Sequence, residues 1–203
     1  MAQKKITGKL DRFSYALGMS VASNLIKSGV TKLNSDLFLL ALNDTFGGEM
    51  PKMMPAEANE ILEEFMQQTN EDESKSNLEA GLQFLEENKA EPGVEELPSG
   101  LQYKVLEQGE GESPTAESRV KCHYHGTLVD GTVFDSSVER GQPALFPVNA
   151  VIQGWTEALQ MMPVGSKWRL FVPPELAYGE QGAGDVIGPN VTLVFDVELL
   201  EIV

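Results

Sequence analysis

The sequence predicts an α+β chain in two parts. Residues 1–90 form an all-helical region with a long linking helix, and residues 91–203 form an antiparallel β-sheet around a short helix. Three observations carry this. Apolar residues recur every three or four positions in the first half and every second position in the second. Between the halves stands EPGVEELPSG, residues 91–100, with two prolines and two glycines. One helical period returns inside the β-rich half, over residues 151–161, where a half-apolar sheet needs a covering layer.

The first helix is written by Phe13, Leu17, Val21 and Leu25, with Ala16 and Asn24 adjacent. Lys27-Ser28-Gly29 suits its C-terminus, a cation at the negative end of the dipole and then a glycine. Asn34 or Ser35 is placed to cap a second helix with Asp36 in its first turn, and Gly47-Gly48 stops it. Between them Leu37, Phe38, Leu40, Ala41, Leu42 and Phe46 make the helix apolar over most of its surface. So apolar a helix needs cover, from its own chain or from a second one. A third run opens at Pro55, a favoured first-turn residue, and reaches Lys89. Ile61, Leu62, Phe65 and Met66 are an apolar patch at its start, and Leu78, Leu82 and Leu85 another at its end. QQTNEDESKSN between them has no apolar residue, so the middle is read as bare helix or a disordered linker. No Pro or Gly interrupts that polar stretch, which favours one continuous helix of roughly 50 Å at about 1.5 Å per residue. Gly81 is read as a local weakness.

Beyond residue 100 the pattern is β. LQYKVLE (101–107) is a strand. In RVKCHYHGTLV (119–129), Val120, Cys122 and Tyr124 share one face and Lys121, His123 and His125 the other. Asp130-Gly131 signals a hairpin. KWRLFVPP (167–174) puts Trp168, Leu170 and Val172 on one side, and VTLVFDVELLEIV (191–203) is the longest strand signal. About five strands are expected, covered by the 151–161 helix.

Composition narrows the function. The 203 residues carry a formal charge of -16, shared evenly, with residues 1–97 at -8 and residues 98–203 at -8. Nucleic acid is therefore not an expected partner, because phosphate binding needs a basic footprint. An anionic membrane surface is disfavoured on the same grounds. Asp11, Arg12, Ser14, Ser20, Ser23 and Asn24 interrupt the N-terminal stretch, so neither a signal peptide nor a membrane span is read there. The expected compartment is the cytoplasm, with the periplasm left open should a leader have been removed. Cys122 stands alone and is read as a small buried hydrophobe.

The chain has no phosphate-binding glycine motif, no HExxH, no CxxC and no GxSxG. His123 and His125 with a cysteine across the strand do not make a four-ligand zinc site, so no metal and no cofactor is expected. What remains is a set of aromatic and aliphatic residues around one carboxylate: Tyr124, Phe134, Asp135, Val151, Ile152, Trp155, Tyr178 and Phe195. Each taken alone reads as core packing. Together they describe an apolar pocket with few polar groups, the usual style of a small-ligand site.

YHGTLVDGTVFDSS, VIQGWTEAL, AYGEQGAG and VTLVFDVELL resemble, in order, the signature segments of the FKBP-type peptidyl-prolyl isomerases, over about Leu97 to Val203. The resemblance implies an FKBP-like antiparallel sheet of five or six strands wrapped on a short helix. It implies non-covalent cis–trans isomerisation of X–Pro bonds in unfolded or partly folded protein clients, with no cofactor. It implies a pocket built from Tyr124, Phe134, Asp135, Arg140, Val151, Ile152, Trp155, Tyr178 and Phe195. Trp155 takes the floor, the Ile152 N–H and the Tyr178 hydroxyl are donors to the ligand's carbonyls, and Asp135 at the rim pairs with Arg140 or Tyr124. Macrolide-type inhibitors are expected in the same pocket. Two departures stand out. Ala144, two residues before Phe146, and Ala183 replace bulkier residues frequent in the family, which implies a wider, shallower pocket there. Val186 and Ile187 keep the aliphatic wall.

FSYALGMSVASNL resembles the opening helix of the N-terminal dimerisation region in bacterial two-domain relatives, the macrophage-infectivity-potentiator group. That implies a homodimer through the N-terminal helices. The alternative function is a dimeric holdase-type chaperone, or a proline-peptide binding module, with incidental isomerase activity. Deleting residues 1–90 separates the two readings: small-peptide activity is expected to survive, and refolding of a proline-limited protein to fall.

Overall fold

The structure is a computed structural model that describes residues 6–184 and 186–203. The chain divides into two compact units, one up to Asn70 and one from Glu71 to Val203.

The first unit holds α1 (Lys9–Lys27), α2 (Ser35–Gly47) and the opening turns of α3 (Pro55–Asn88). The Gly8 N–H donates to the Asp11 carboxylate at 3.2 Å, closing the first turn of α1. Asn34 caps α2, its side chain accepting from the Asp36 and Leu37 N–H groups at 3.1 and 3.2 Å. Gly48 ends α2 in the left-handed conformation at φ 68°. Local chemistry thus fixes both helices, yet neither buries an apolar side chain: the one buried residue among them is Asp44. Leu10 is 74 % exposed and Phe46 85 %.

The second unit holds a sheet of seven strands: β1 (Val94–Glu96), β2 (Gln102–Glu107), β3 (Arg119–Leu128), β4 (Val133–Ser136), β5 (Ala144–Pro147), β6 (Lys167–Val172) and β7 (Leu193–Ile202). The order is β1-β2-β6-β7-β3-β4, all antiparallel, with β5 also on β3. β4 and β5 share the free edge of β3: β4 pairs with His125–Thr127 and β5 with Arg119–Cys122. The expectation of about five strands undercounts because β1, β4 and β5 have three or four residues each, too short to show a period of two. Phe134 and Asp135 lie within β4.

α4 (Gln153–Met161) lies on one face, burying Trp155, Ala158 and Leu159 against Leu170, Val172, Leu193, Val197 and Leu199. Its approach is close. A Cβ at Gly154 would stand 2.6 Å from a Val172 methyl. Cys122 is fully buried in this core, and burial pushes its thiol pKa up to about 12.

The last turns of α3 belong to the second unit and cover part of the other face. Gly81, Leu85 and Asn88 are buried at a spacing of three to four, with Ser74, Asn77, Leu78 and Phe84 half-buried on the same stripe. Phe84 meets Phe171 of β6 at 5.9 Å between ring centres. The Gln102 amide donates to the Leu85 carbonyl at 2.9 Å and accepts from Asn88 at 2.8 Å. A Cβ at Gly81 would stand 2.4 Å from the Thr192 hydroxyl, so this glycine admits the sheet rather than weakening the helix. α3 is continuous through the polar stretch, as the lack of Pro and Gly there implies. The division between Asn70 and Glu71 falls within α3.

Candidate functional site: an aromatic cavity over α4

A cavity of about 740 Å³ opens between the N-terminal end of α4, the β3–β4 edge of the sheet and the segment before β7. A short 3-10 turn at Val148–Ala150 leads through extended Val151 to Ile152, the N-cap of α4. The Thr156 hydroxyl donates to the Val148 carbonyl at 2.7 Å and ties that turn to the helix. The Ile152 carbonyl accepts from Trp155 and Thr156 at 3.0 and 3.1 Å, whereas the Ile152 N–H has no acceptor among the described residues. A helix start leaves such N–H groups free, and this one borders the cavity.

Trp155 is the floor. It is 5 % exposed and three aromatic rings surround it: Tyr124 at 5.4 Å, Phe195 at 5.2 Å and Phe146 at 5.6 Å. The first two stand near-perpendicular to the indole, the favoured edge-to-face arrangement. Phe134 meets Phe195 in the same way at 5.4 Å. Both rings cross β3 at Gly126, where a Cβ would come within 2.7 Å of Phe134 and 3.0 Å of Phe195. The indole Nε1–H is buried without an acceptor among the described residues.

The polar rim is one cluster. The Tyr124 hydroxyl and the Arg140 guanidinium both donate to Asp135, and Arg140 also donates to the Tyr124 oxygen at 2.8 Å. Asp135 thus pairs with Arg140 and with Tyr124, not with one of them. Burial works to raise the Asp135 pKa, but the hydrogen bonds from Tyr124 and Arg140 outweigh it and hold the carboxyl below its ordinary value. Burial first, then the bond to Asp135, raise the Tyr124 hydroxyl. Ser137 sets the strand beneath: its hydroxyl accepts from the Tyr124 N–H at 2.7 Å and its own N–H donates to the Tyr124 carbonyl at 3.0 Å.

Eight of the nine predicted residues line the cavity: Tyr124, Phe134, Asp135, Val151, Ile152, Trp155, Tyr178 and Phe195. Arg140 stands outside the lining and acts on it through Asp135 and Tyr124. Tyr178 is 41 % exposed at the mouth, its hydroxyl without a partner among the described residues. Ala144 and Ala183 line the wall beside Gly184, Val186 and Ile187. Phe146, Ala150, Gly126 and Gly154 were not singled out by sequence reasoning. Phe146 lies in β5, too short a strand to show its period, and the glycines carry no signal until the side chains they admit are located.

Asp135 is the one charged residue among the described lining, which otherwise is aromatic, aliphatic or glycine. No three His, Cys, Asp or Glu among the described residues stand together as a metal site. No described helix is long and apolar enough to cross a membrane. His123 and His125 are half-buried, each with Nδ1 at 3.1 or 3.0 Å from a serine hydroxyl, Ser137 and Ser136.

Residues 110–200 match the family FKBP-type peptidyl-prolyl cis-trans isomerase, and residues 10–105 match the domain amino terminal to FKBP-type peptidyl-prolyl isomerase. The FKBP-type 22 kDa peptidyl-prolyl cis-trans isomerase of Escherichia coli is 47 % identical, over 93 % of this chain and 93 % of that protein. Peptidyl-prolyl cis-trans isomerase Mip of Coxiella burnetii is 44 % identical, over 95 % of this chain and 86 % of its own length. The crystal structure of FkpA from Escherichia coli superposes with a TM-score of 0.75 at 36 % identity, covering 98 % of both chains. Sequence segments, sheet order and an aromatic cavity over a short helix thus converge, and the chain belongs to the FKBP-type peptidyl-prolyl cis-trans isomerase family.

Proposed function

We propose that the cavity over Trp155 is where the chain turns the X–Pro bond of polypeptide clients. The observation that carries this is a pair of unpartnered donors, the Ile152 N–H and the Tyr178 hydroxyl, at an apolar cavity floored by a tryptophan. The uncatalysed barrier is roughly 18–20 kcal/mol because twisting removes amide resonance. Exchange then takes tens to hundreds of seconds. The planar amide is the more charge-separated form, so an apolar cavity disfavours it relative to the twisted one. The proline ring lies on Trp155, between Phe134, Val151 and Phe195. The two donors hold the flanking carbonyls while the rest of the peptide turns. No bond is broken, and the reaction needs no nucleophile. Trp155→Leu in an assay limited by proline isomerisation tests the assignment: a large loss of kcat/KM is expected, and undiminished activity would overturn it.

The same cavity is the proposed site for macrolide-type inhibitors, its volume lying in the range of small-ligand pockets. A homodimer through α1 and α2 is also proposed. It is supported by the apolar side chains these helices leave exposed, by the match of residues 10–105, and by the two-domain relatives. A sedimentation mass of 22.2 kDa at micromolar concentration would contradict it.

A further inference from the structure

The wall of the cavity formed by Tyr178, Ala183 and Ile187 belongs to an irregular segment running from Ala177 to β7. Among its described residues few backbone hydrogen bonds hold it. Ala183 and Ile187 exchange two backbone hydrogen bonds, at 2.8 and 3.2 Å, and the Asn190 N–H donates to the Gly179 carbonyl at 2.8 Å, joining the two ends. Asn190 sits in the left-handed region at φ 53°, the one described non-glycine residue to do so.

That base is clamped from outside by α3. The Asn190 amide donates to the Ser74 hydroxyl at 2.7 Å, and the Asn77 amide donates to the Pro189 carbonyl at 2.8 Å. The helix also presses on the backbone between them: a Cβ at Gly188 would stand 2.8 Å from the Glu73 carboxylate and 3.3 Å from the Asn77 amide. All of these groups lie in the second unit. They are one helical turn or less apart on α3, in the stretch whose sequence looks like bare linker.

We infer that Ser74 and Asn77 of α3 are positioning residues for the isomerase pocket: they fix Pro189 and Asn190, and through the Asn190–Gly179 closure they set the place of the Tyr178 hydroxyl. This rests on the cavity over Trp155 being the site of X–Pro rotation. It also revises an expectation. Deleting residues 1–90 removes this clamp together with the helical region, so small-peptide activity does not survive that deletion intact.

The test uses the full-length chain with Ser74→Ala, Ser74→Thr, Asn77→Ala and the Ser74→Ala/Asn77→Ala pair. Alanine suits a helix interior, so α3 is retained. For a short X–Pro peptide, the pair is expected to lower kcat/KM about two- to tenfold, mainly by raising KM, the loss typical of one or two hydrogen bonds. Ser74→Thr keeps the hydroxyl and restores the parent KM. Amide exchange at Asn190 and Ile187 accelerates in the pair, while exchange in β3 and β7 stays at the parent rate. Parent KM and parent exchange at Asn190 in the pair would overturn the inference. If the pair instead speeds exchange everywhere, the single Ser74→Ala and Ser74→Thr chains decide: equal KM in those two overturns it. Trp155→Leu runs alongside. Full activity there defeats the pocket assignment itself, whereas an inactive Trp155→Leu with an unaffected Ser74/Asn77 pair defeats only the clamp.

Discussion

Two regions of this molecule expose apolar side chains, and they do so for opposite reasons. In α1 and α2 no apolar residue is buried, so the exposure is that of helices without a core. Around Trp155 a complete core lies directly beneath, with Leu159, Leu170, Val197 and Leu199 all fully buried, and the exposed apolar surface is a recess in its side. An exposed apolar surface lacking a core fits the proposed second copy of the chain, because burying it would supply the stability the helices lack alone. A concave one over a finished core calls for a small guest. The same residue types thus stand in two settings, and what separates them is the packing underneath.

Breaking the recess should cost most. Trp155→Leu removes an indole that meets three rings, and a destabilisation on the order of 3 kcal/mol is expected by chemical denaturation, together with loss of isomerase activity. Gly126→Ala should cost about 1–3 kcal/mol, because the new methyl drives Phe134 and Phe195 out of their present rotamers. Circular dichroism of the aromatic bands, read beside kcat/KM, checks it.

Breaking the exposed apolar face of α2 should leave the recess untouched. Phe38→Asp with Leu42→Asp puts two charges a helical turn apart on α2. The expected outcome is a 22.2 kDa monomer by sedimentation with parent kcat/KM on a short peptide. A dimer that persists would place the partner surface elsewhere.

The smallest effect concerns acid. The folded Asp135 pKa lies below its unfolded value, so the cluster's contribution is complete above the ordinary aspartate range, near about 3.9. It is lost only as pH falls through the lower folded value. Activity is therefore expected to stay level down to about pH 5 as far as Asp135 is concerned. Asp135→Asn should remove the residual acid limb and weaken peptide binding only modestly, since the pair is half exposed.

Much of this was legible in the sequence because the signals were local. The Asn34 cap, the glycines that end α1 and α2, and the Asp130-Gly131 turn each depend on a few neighbouring residues. The cavity residues were legible through family segments, since periodicity alone assigns Trp155 to a core that it does in fact also join. The α3 dock was not legible. Its stripe of Ser74, Asn77, Gly81, Leu85 and Asn88 repeats at helical spacing, but hydrogen bonding and close approach, not hydrophobicity, define it. Apolar counting passes over such a face. For the same reason Gly126 and Gly154 gave no warning: a glycine chosen for the ring or methyl that crosses it looks like any other glycine.

The central claim is that the X–Pro segment sits on Trp155 with its carbonyls on the Ile152 N–H and the Tyr178 hydroxyl. Titrating an X–Pro peptide into the labelled chain and following the amide and indole resonances by NMR tests it most directly. The Ile152 amide and the Trp155 indole N–H are expected to shift together along one binding curve, and Tyr178→Phe to weaken that curve. Another hollow of the unit, beside Phe84, Lys104 and Phe171, should stay silent. Shifts centred on that hollow, with Ile152 and Trp155 unmoved, would contradict this placement of the peptide.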